Sequence, residues 1–305
     1  MKKLSIMLGA LVALSAVAQG KETVVAPVIV EETVREVVII KETPKPWLRL
    51  KRIGQELEVE NKSGSSDIGE NVWLYNRVVL ETDNWDFEIE AARKWNIDTK
   101  AGIEKTNTRT QIDAWRNFQA ESFKYSLGGR YRAEKNFDRF QLRGKYALNS
   151  GLVSGNLNVH YNSVSGSEDD YYVVEVMPAT IKLGPLKVGY WMEHKEGVGG
   201  SKEDVTEQQI RAYLDLYKGE KLGVTLENRF TLRKTGKKSD GTSLNGLRAG
   251  EYDFGGRNRT YLGAAYKVTP AFEVYGKYAY EFQNAKNTDR DTYLGIAIAG
   301  WNYRF

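Results

Sequence analysis

Two histidines, no cysteine and a dense set of arginines decide which chemistry this sequence could perform. His160 alternates with Asn158, Asn156 and Ser154 and lies three residues before Ser163. That grouping offers a hydroxyl, an imidazole and an amide for nucleophilic catalysis. Polar residues on one face of a strand produce such groupings routinely, so no catalytic residue is assigned. His194 follows Leu186, Val188, Tyr190 and Met192 at period two and is expected to face outward near a rim. The absence of Cys removes thiolate metal ligands, disulfides and a lipoprotein anchor. Glu168, Asp169 and Asp170, and Asp289 with Asp291, offer hard oxygens to Ca²⁺. They read more simply as solvated loop charges, and no metal or cofactor site is assigned. Gly197, Gly199 and Gly200 lack the strand-to-helix context of a phosphate cradle.

What remains is basic. Arg130, Arg132, Arg139, Arg143 and Lys145 cluster on two neighbouring segments, and Arg211, Arg229, Arg233 and Arg259 share their parity on later ones. Around a water-filled space, ladders of Arg and Lys bias permeation toward anions. Asp86, Glu88, Glu90, Asp113, Asp215, Glu227, Glu273 and Glu281 have the same parity. Opposed charges with a weak transverse field, or a polar wall without specificity, are therefore the alternatives.

The elements that must position these residues follow from a change of period at Trp47. Phe123, Tyr125, Leu127, Gly129 and Tyr131 share one face of a segment whose other face is Lys124, Ser126, Gly128, Arg130 and Arg132. Successive strand side chains point to opposite faces, so this is a strand with one apolar and one polar side. Residues 137–148 and 152–163 repeat the pattern after short turns, as an antiparallel meander does. Fourteen such strands are predicted, with cores at 47–60, 70–81, 85–95, 108–118, 123–134, 137–148, 152–163, 171–181, 186–196, 207–217, 221–234, 257–268, 272–282 and 292–305. The connections at 82–84, 119–122, 149–151, 182–185, 218–220 and 269–271 are all short. The alternate set, except Lys135-Asn136, is long. Short periplasmic turns alternating with long external loops mark a bacterial outer-membrane barrel. Twelve or sixteen strands are the alternatives, because alternation is poor around Pro178 and Pro185. Trp47, Trp73, Trp85, Trp95 and Trp301 are expected at strand ends or outward, in interfacial belts, whereas parity turns Trp115 and Trp191 inward.

Lys2, Lys3 and the apolar run Leu4–Val17, closed by Ala16-Val17-Ala18, read as a secretory signal peptide over residues 1–18. Its removal leaves 42 of the 44 basic residues against 40 acidic ones, a balance that does not call for nucleic acid. Residues 19–46, rich in Val, Glu and Pro, read as an N-terminal periplasmic segment, and the barrel is expected over 47–305. With 28% charged residues and no later long apolar run, a helical membrane protein is excluded, while a barrel that alternates lipid- and lumen-facing residues is not.

The last strand carries Tyr293, Gly295, Ala297, Ala299, Trp301, Tyr303 and Phe305 on one face. Trp301, Tyr303 and the terminal Phe305 resemble the C-terminal aromatic signature that the barrel assembly machinery recognises. With the leader MKKLSIMLGALVALSAVAQGKE and the segment VVAPVIVEETVREVVIIKETPKPW, the whole chain resembles the FomA-type major outer-membrane porins of fusobacteria. The resemblance implies a general porin passing small hydrophilic solutes, a homotrimer surrounded by outer-membrane lipid, and adhesion to a surface partner through the loops. An adhesin using the barrel as a platform, and an outer-membrane lipid-modifying enzyme, are the other classes weighed.

Overall fold

In hydrocarbon no water satisfies a backbone N–H or C=O, so a sheet can cross a membrane only if it closes on itself. The computed structural model describes residues 46–62, 69–98, 102–165, 170–198, 204–237, 251–284 and 291–305. The expected leader, most of the N-terminal segment, and the acidic residues Glu168, Asp169 and Asp289 lie outside them. The described residues form one closed, all-β, antiparallel barrel of fourteen strands.

The strands are β1 (Arg49–Lys62), β2 (Gly69–Glu81), β3 (Trp85–Asp98), β4 (Gly102–Gln119), β5 (Phe123–Glu134), β6 (Phe137–Leu148), β7 (Val153–Val164), β8 (Tyr171–Leu183), β9 (Leu186–Gly197), β10 (Asp204–Lys218), β11 (Leu222–Lys237), β12 (Arg257–Lys267), β13 (Phe272–Gln283) and β14 (Thr292–Arg304). Each pairs with its sequence neighbours, and β1 closes on β14 from Arg52↔Arg304 to Lys62↔Leu294. The predicted strands all exist. Residues 96–98 and 102–107, expected in a loop, instead extend the β3–β4 hairpin, whose register reaches Asp98↔Gly102.

Register shifts at seven places interrupt the pairing of the described strands. Between Val176 and Thr180 the β8–β9 register slips, which accommodates Pro178 in a strand that cannot use a missing N–H. This is the stretch where the sequence pattern is poor. Other shifts lie at Leu50/Arg52, at Lys94/Trp95 and between Gln208 and Gln209. The tight β8–β9 turn is Gly184-Pro185, where Gly184 adopts a φ of 61° that disfavours any side chain. Thr82 and Thr269 close two other short turns by accepting the N–H of Trp85 at 3.0 Å and of Phe272 at 2.9 Å. At an opposite-side connection, Asp170 accepts the Val164 N–H at 2.7 Å and the Tyr161 hydroxyl. The Tyr161 contact, before all else, holds that carboxyl below its usual range.

Aromatic rings lying on glycines knit neighbouring strands. A Cβ on Gly300 would meet Tyr275 at 2.5 Å, so the ring crosses the β14 backbone, and its hydroxyl donates to Glu56 on β1 at 2.7 Å. On the other surface Tyr146 lies over Gly155 and donates to the Pro178 carbonyl at 2.6 Å. A ring over a strand glycine restores the packing that the missing side chain forfeits.

The two surfaces differ in kind. Leu57, Ile89, Ile112, Leu127, Leu142, Leu157, Leu262 and Tyr278 are all exposed, Leu142 by 74%. Contiguous apolar exposure of this extent belongs in lipid, not water. Asp113, Gln141, His160, Asn162, Glu207 and Glu281 are buried on the opposite, concave surface. β14 departs from the pattern, with Leu294 and Ile296 buried inward against Ala279 and small Gly295, Ala297 and Ala299 outward.

Leu142→Arg should therefore cost about 2–4 kcal/mol of folding free energy in lipid, whereas Asn156→Arg, facing inward on β7, should cost about 0.5 kcal/mol or less. Equilibrium unfolding from vesicles measures both, and equal costs would mean that the faces are misassigned.

Candidate functional site: a charged interior wall

Ion pairs between strands that are not neighbours identify the concave surface, because only there do side chains converge. Lys51 on β1 reaches Asp86 on β3 at 2.7 Å, Arg143 on β6 reaches Asp113 on β4 at 2.6 Å, and Arg257 on β12 reaches Glu207 on β10 at 3.1 Å. Cross-strand register then places every residue between them.

The basic cluster is inward throughout. Arg130, Arg132, Arg139, Arg143 and Lys145 sit in rows across β5 and β6, with Arg132↔Arg139 and Gly128↔Arg143 as direct partners. Asp113 Oδ1 accepts Arg130 Nε at 2.8 Å and Arg143 Nη1 at 2.6 Å, so two guanidiniums share one oxygen. Its second oxygen accepts the Gln111 amide at 2.7 Å, and Gln111 in turn accepts Arg132 Nε at 2.7 Å. Arg139 donates to the neutral Asn162 at 2.7 Å. Glu134 is held by Arg109 at 2.7 Å and lies 3.9 Å from Arg132. Among the described residues Lys145 has no carboxylate within ion-pair distance. Arg109 and the five cations of the cluster thus meet Asp113, Glu134 and the edge of Glu90, whose main partner is Arg77 at 2.8 Å.

On β10 to β13 the charges pair more evenly. Arg229 holds Glu227 at 2.6 Å, and Arg257 spans Glu207 and Glu281, which Arg259 also contacts. Arg211 is inward but bonds neutral Gln209 at 3.0 Å. Asp86, Glu88, Glu90, Asp215, Glu273 and the other acids of that parity also fall on inward rows.

Arg233 is the correction. The shift at Gln208/Gln209 pairs Gln208 with Arg233 and Gln209 with Thr231, so Leu232 is bulged and the alternation inverts. Arg233 is exposed outside, and Lys234, opposite Glu207, takes the inward position. Trp73 is a second departure, since it is buried inside, stacked on Tyr75 at 5.7 Å with Arg109 over its ring at 4.5 Å. Trp115 and Trp191 face inward as parity requires. His194 faces outward between Met192 and Glu196, near Thr206 at 3.0 Å. His160 is buried between Gln141 and Val173, and its Nδ1 has no hydrogen-bond partner among the described residues, so the structure does not join it to Ser154 or Ser163.

The described residues outline cavities in the lumen, of which two border the charged wall. The larger, about 1020 Å³, runs along the β1–β9 wall past Lys51, Asp86, Asp113, Trp115, Arg143, Lys145 and Trp191. The smaller, about 420 Å³, is bounded by Glu193, Glu207, Arg229, Lys234 and Arg257, and Glu175, Trp191 and Arg211 border both.

No family model matches the chain, and no curated protein matches its sequence. Solved structures do resemble its fold. A bacterial polysaccharide outer membrane secretin aligns over 84% of this chain and 99% of its own, at 10% identity and a TM-score of 0.52. The outer membrane channel DcaP of Acinetobacter baumannii (10% identity, 85% of this chain and 97% of that one, TM-score 0.41) and the KdgM porin (11%, 83% and 99%, 0.39) are more distant in shape. The chain is an outer-membrane β-barrel. A closed sheet, an apolar outer belt and a charged interior place it in the outer membrane of a Gram-negative-type bacterium.

Asp113→Asn should leave Arg130 and Arg143 without their shared anion, at a cost of about 1.5–3 kcal/mol for hydrogen bonds to a charged group. Urea unfolding of the barrel in lipid measures the loss, and an unchanged midpoint would show that Asp113 does not hold the arginine pair.

Proposed function

We propose that the barrel is a porin that passes small hydrophilic solutes and ions by diffusion and favours anions. One observation carries the reading: on the interior of β4 to β6 cations outnumber carboxylates, and the lysine among them faces open cavity. Unpaired cations in a confined polar space are stable only if hydrated or accompanied by mobile anions. A water-filled lumen supplies both. Fourteen strands enclose more space than the eight whose interiors side chains fill, and the two cavities are consistent with that.

On that wall Arg130, Arg132, Arg139, Arg143 and Lys145, and across the lumen Arg211 and Arg229 on β10 and β11, are the pore-lining residues, with Lys234 in place of Arg233. Around this core the wider proposal follows the sequence reading. Residues 1–18 direct export, 19–46 remain periplasmic, and Trp301, Tyr303 and Phe305 signal to the assembly machinery. The FomA-type resemblance supports a homotrimer. No catalytic step is assigned.

Refolded full-length barrel in a planar bilayer should show open, ohmic steps and a reversal potential favouring chloride over potassium. Replacing Arg130, Arg132 and Arg143 together by Gln should move that potential toward cations. Silence from a correctly folded, heat-modifiable barrel would sink the diffusion-channel reading.

A further inference from the structure

Trp115 and Trp191 are large aromatic side chains that face inward, and both border the larger cavity. Trp115 is seated by its neighbour. A Cβ on Gly128 would lie 2.7 Å from the indole and 2.8 Å from the Ala114 carbonyl, so the ring rests on the β5 backbone and extends toward β6. There Arg143 and Lys145 lie over the ring at 4.6 and 4.4 Å from its centroid. Around the wall, Arg211 lies over Trp191 at 3.9 Å. Each indole therefore carries cations on its face, and all three cations border the same 1020 Å³ space.

Their partners leave charge to spare. Arg143 shares its Asp113 oxygen with Arg130, and neither Lys145 nor Arg211 has a carboxylate within ion-pair distance among the described residues. A cation held on a ring face keeps its position at low entropy cost and turns its remaining N–H groups to the cavity. A guanidinium presents those groups as a planar fork, which matches the two oxygens of a carboxylate or phosphate and not a spherical halide. We propose that Arg143, Lys145 and Arg211, positioned by Trp115 and Trp191, form a binding station for small polyvalent oxyanions, carboxylates or phosphates. The inference rests on the porin reading and adds to it a solute class. With cations on β6 and on β10, a solute with anionic groups at both ends engages both clusters, whereas a monoanion engages one.

The test is block of chloride current at low salt, where screening is weak, by citrate, by inorganic phosphate and by acetate. Citrate is expected to block at the lowest concentration and acetate at the highest, with phosphate between them reporting whether the station accepts both oxyanion chemistries. Trp115→Leu, Trp191→Leu and Lys145→Gln should each raise the half-blocking citrate concentration about threefold or more, the scale of one cation–π or ion contact. Trp115→Phe, which keeps a ring quadrupole, should recover part of the loss, and Tyr261→Phe, outside this cavity, should leave block unchanged. Each value is referred to the variant's own open current. A conducting barrel with equal block by citrate and acetate, or unaltered by Lys145→Gln and both Leu variants, overturns the station and leaves the channel standing. A silent barrel overturns the channel reading, and calorimetric titration of citrate into the detergent-solubilised protein then decides the station by itself.

Discussion

Closure of β14 on β1 is the interaction on which the remaining structure depends. Their ladder runs from Arg52↔Arg304 to Lys62↔Leu294 and removes the two edges that a meander of fourteen strands would leave. In a medium without hydrogen-bonding solvent, an open edge would leave a row of unsatisfied N–H and C=O groups. Once the sheet is closed, its two faces have unequal surroundings, and every strand must sort its side chains between lipid and lumen. The sorting is complete enough that Leu142 is exposed outward while its neighbours Gln141 and Arg143 face inward. Rings laid across Gly300, Gly155 and Gly128 then couple strands beyond their immediate partners.

The lumen inherits a charge distribution. On β10 to β13 arginines and glutamates cross-link in near balance, and on β1 to β3 Lys51, Arg52 and Arg77 are spoken for by Asp86, Glu88, Glu90 and Glu56. The β4 to β6 wall is different, because Asp113 serves two guanidiniums and Arg132 and Arg139 turn to amides for their hydrogen bonds. Positive potential is thereby concentrated on one side of the barrel, next to the larger cavity. On the proposed porin reading, such a wall raises the local concentration of anions.

Much of this was legible in the sequence because a strand's period of two survives in each segment. Phe123 to Glu134 could be assigned face by face, and the inward rows of β5, β6 and β7 agree residue for residue with the alternation. Where the period failed, a backbone irregularity intervened. Arg233 lost its inward position to Lys234 because Leu232 is bulged against β10, and a one-residue insertion moves every later side chain to the opposite face. The weak pattern near Pro178 has the same origin in a register slip. Trp73 was assigned to a girdle by residue type, although its alternation with Tyr75 and Arg77 already placed it inside. The β3–β4 hairpin extends through residues expected to be loop, since Lys, Asn and Thr beyond a membrane face no lipid and carry no hydrophobic period.

Since the chain has no native cysteine, single thiols report directly on which surface meets water. Lys145→Cys and Leu142→Cys, compared in the refolded barrel for reaction with a charged, membrane-impermeant methanethiosulfonate reagent, test the account most directly. It predicts that Lys145→Cys reacts rapidly and that modification changes the single-channel current, while Leu142→Cys stays protected by lipid. Protection at Lys145 together with reaction at Leu142 would contradict both the face assignment and the open lumen.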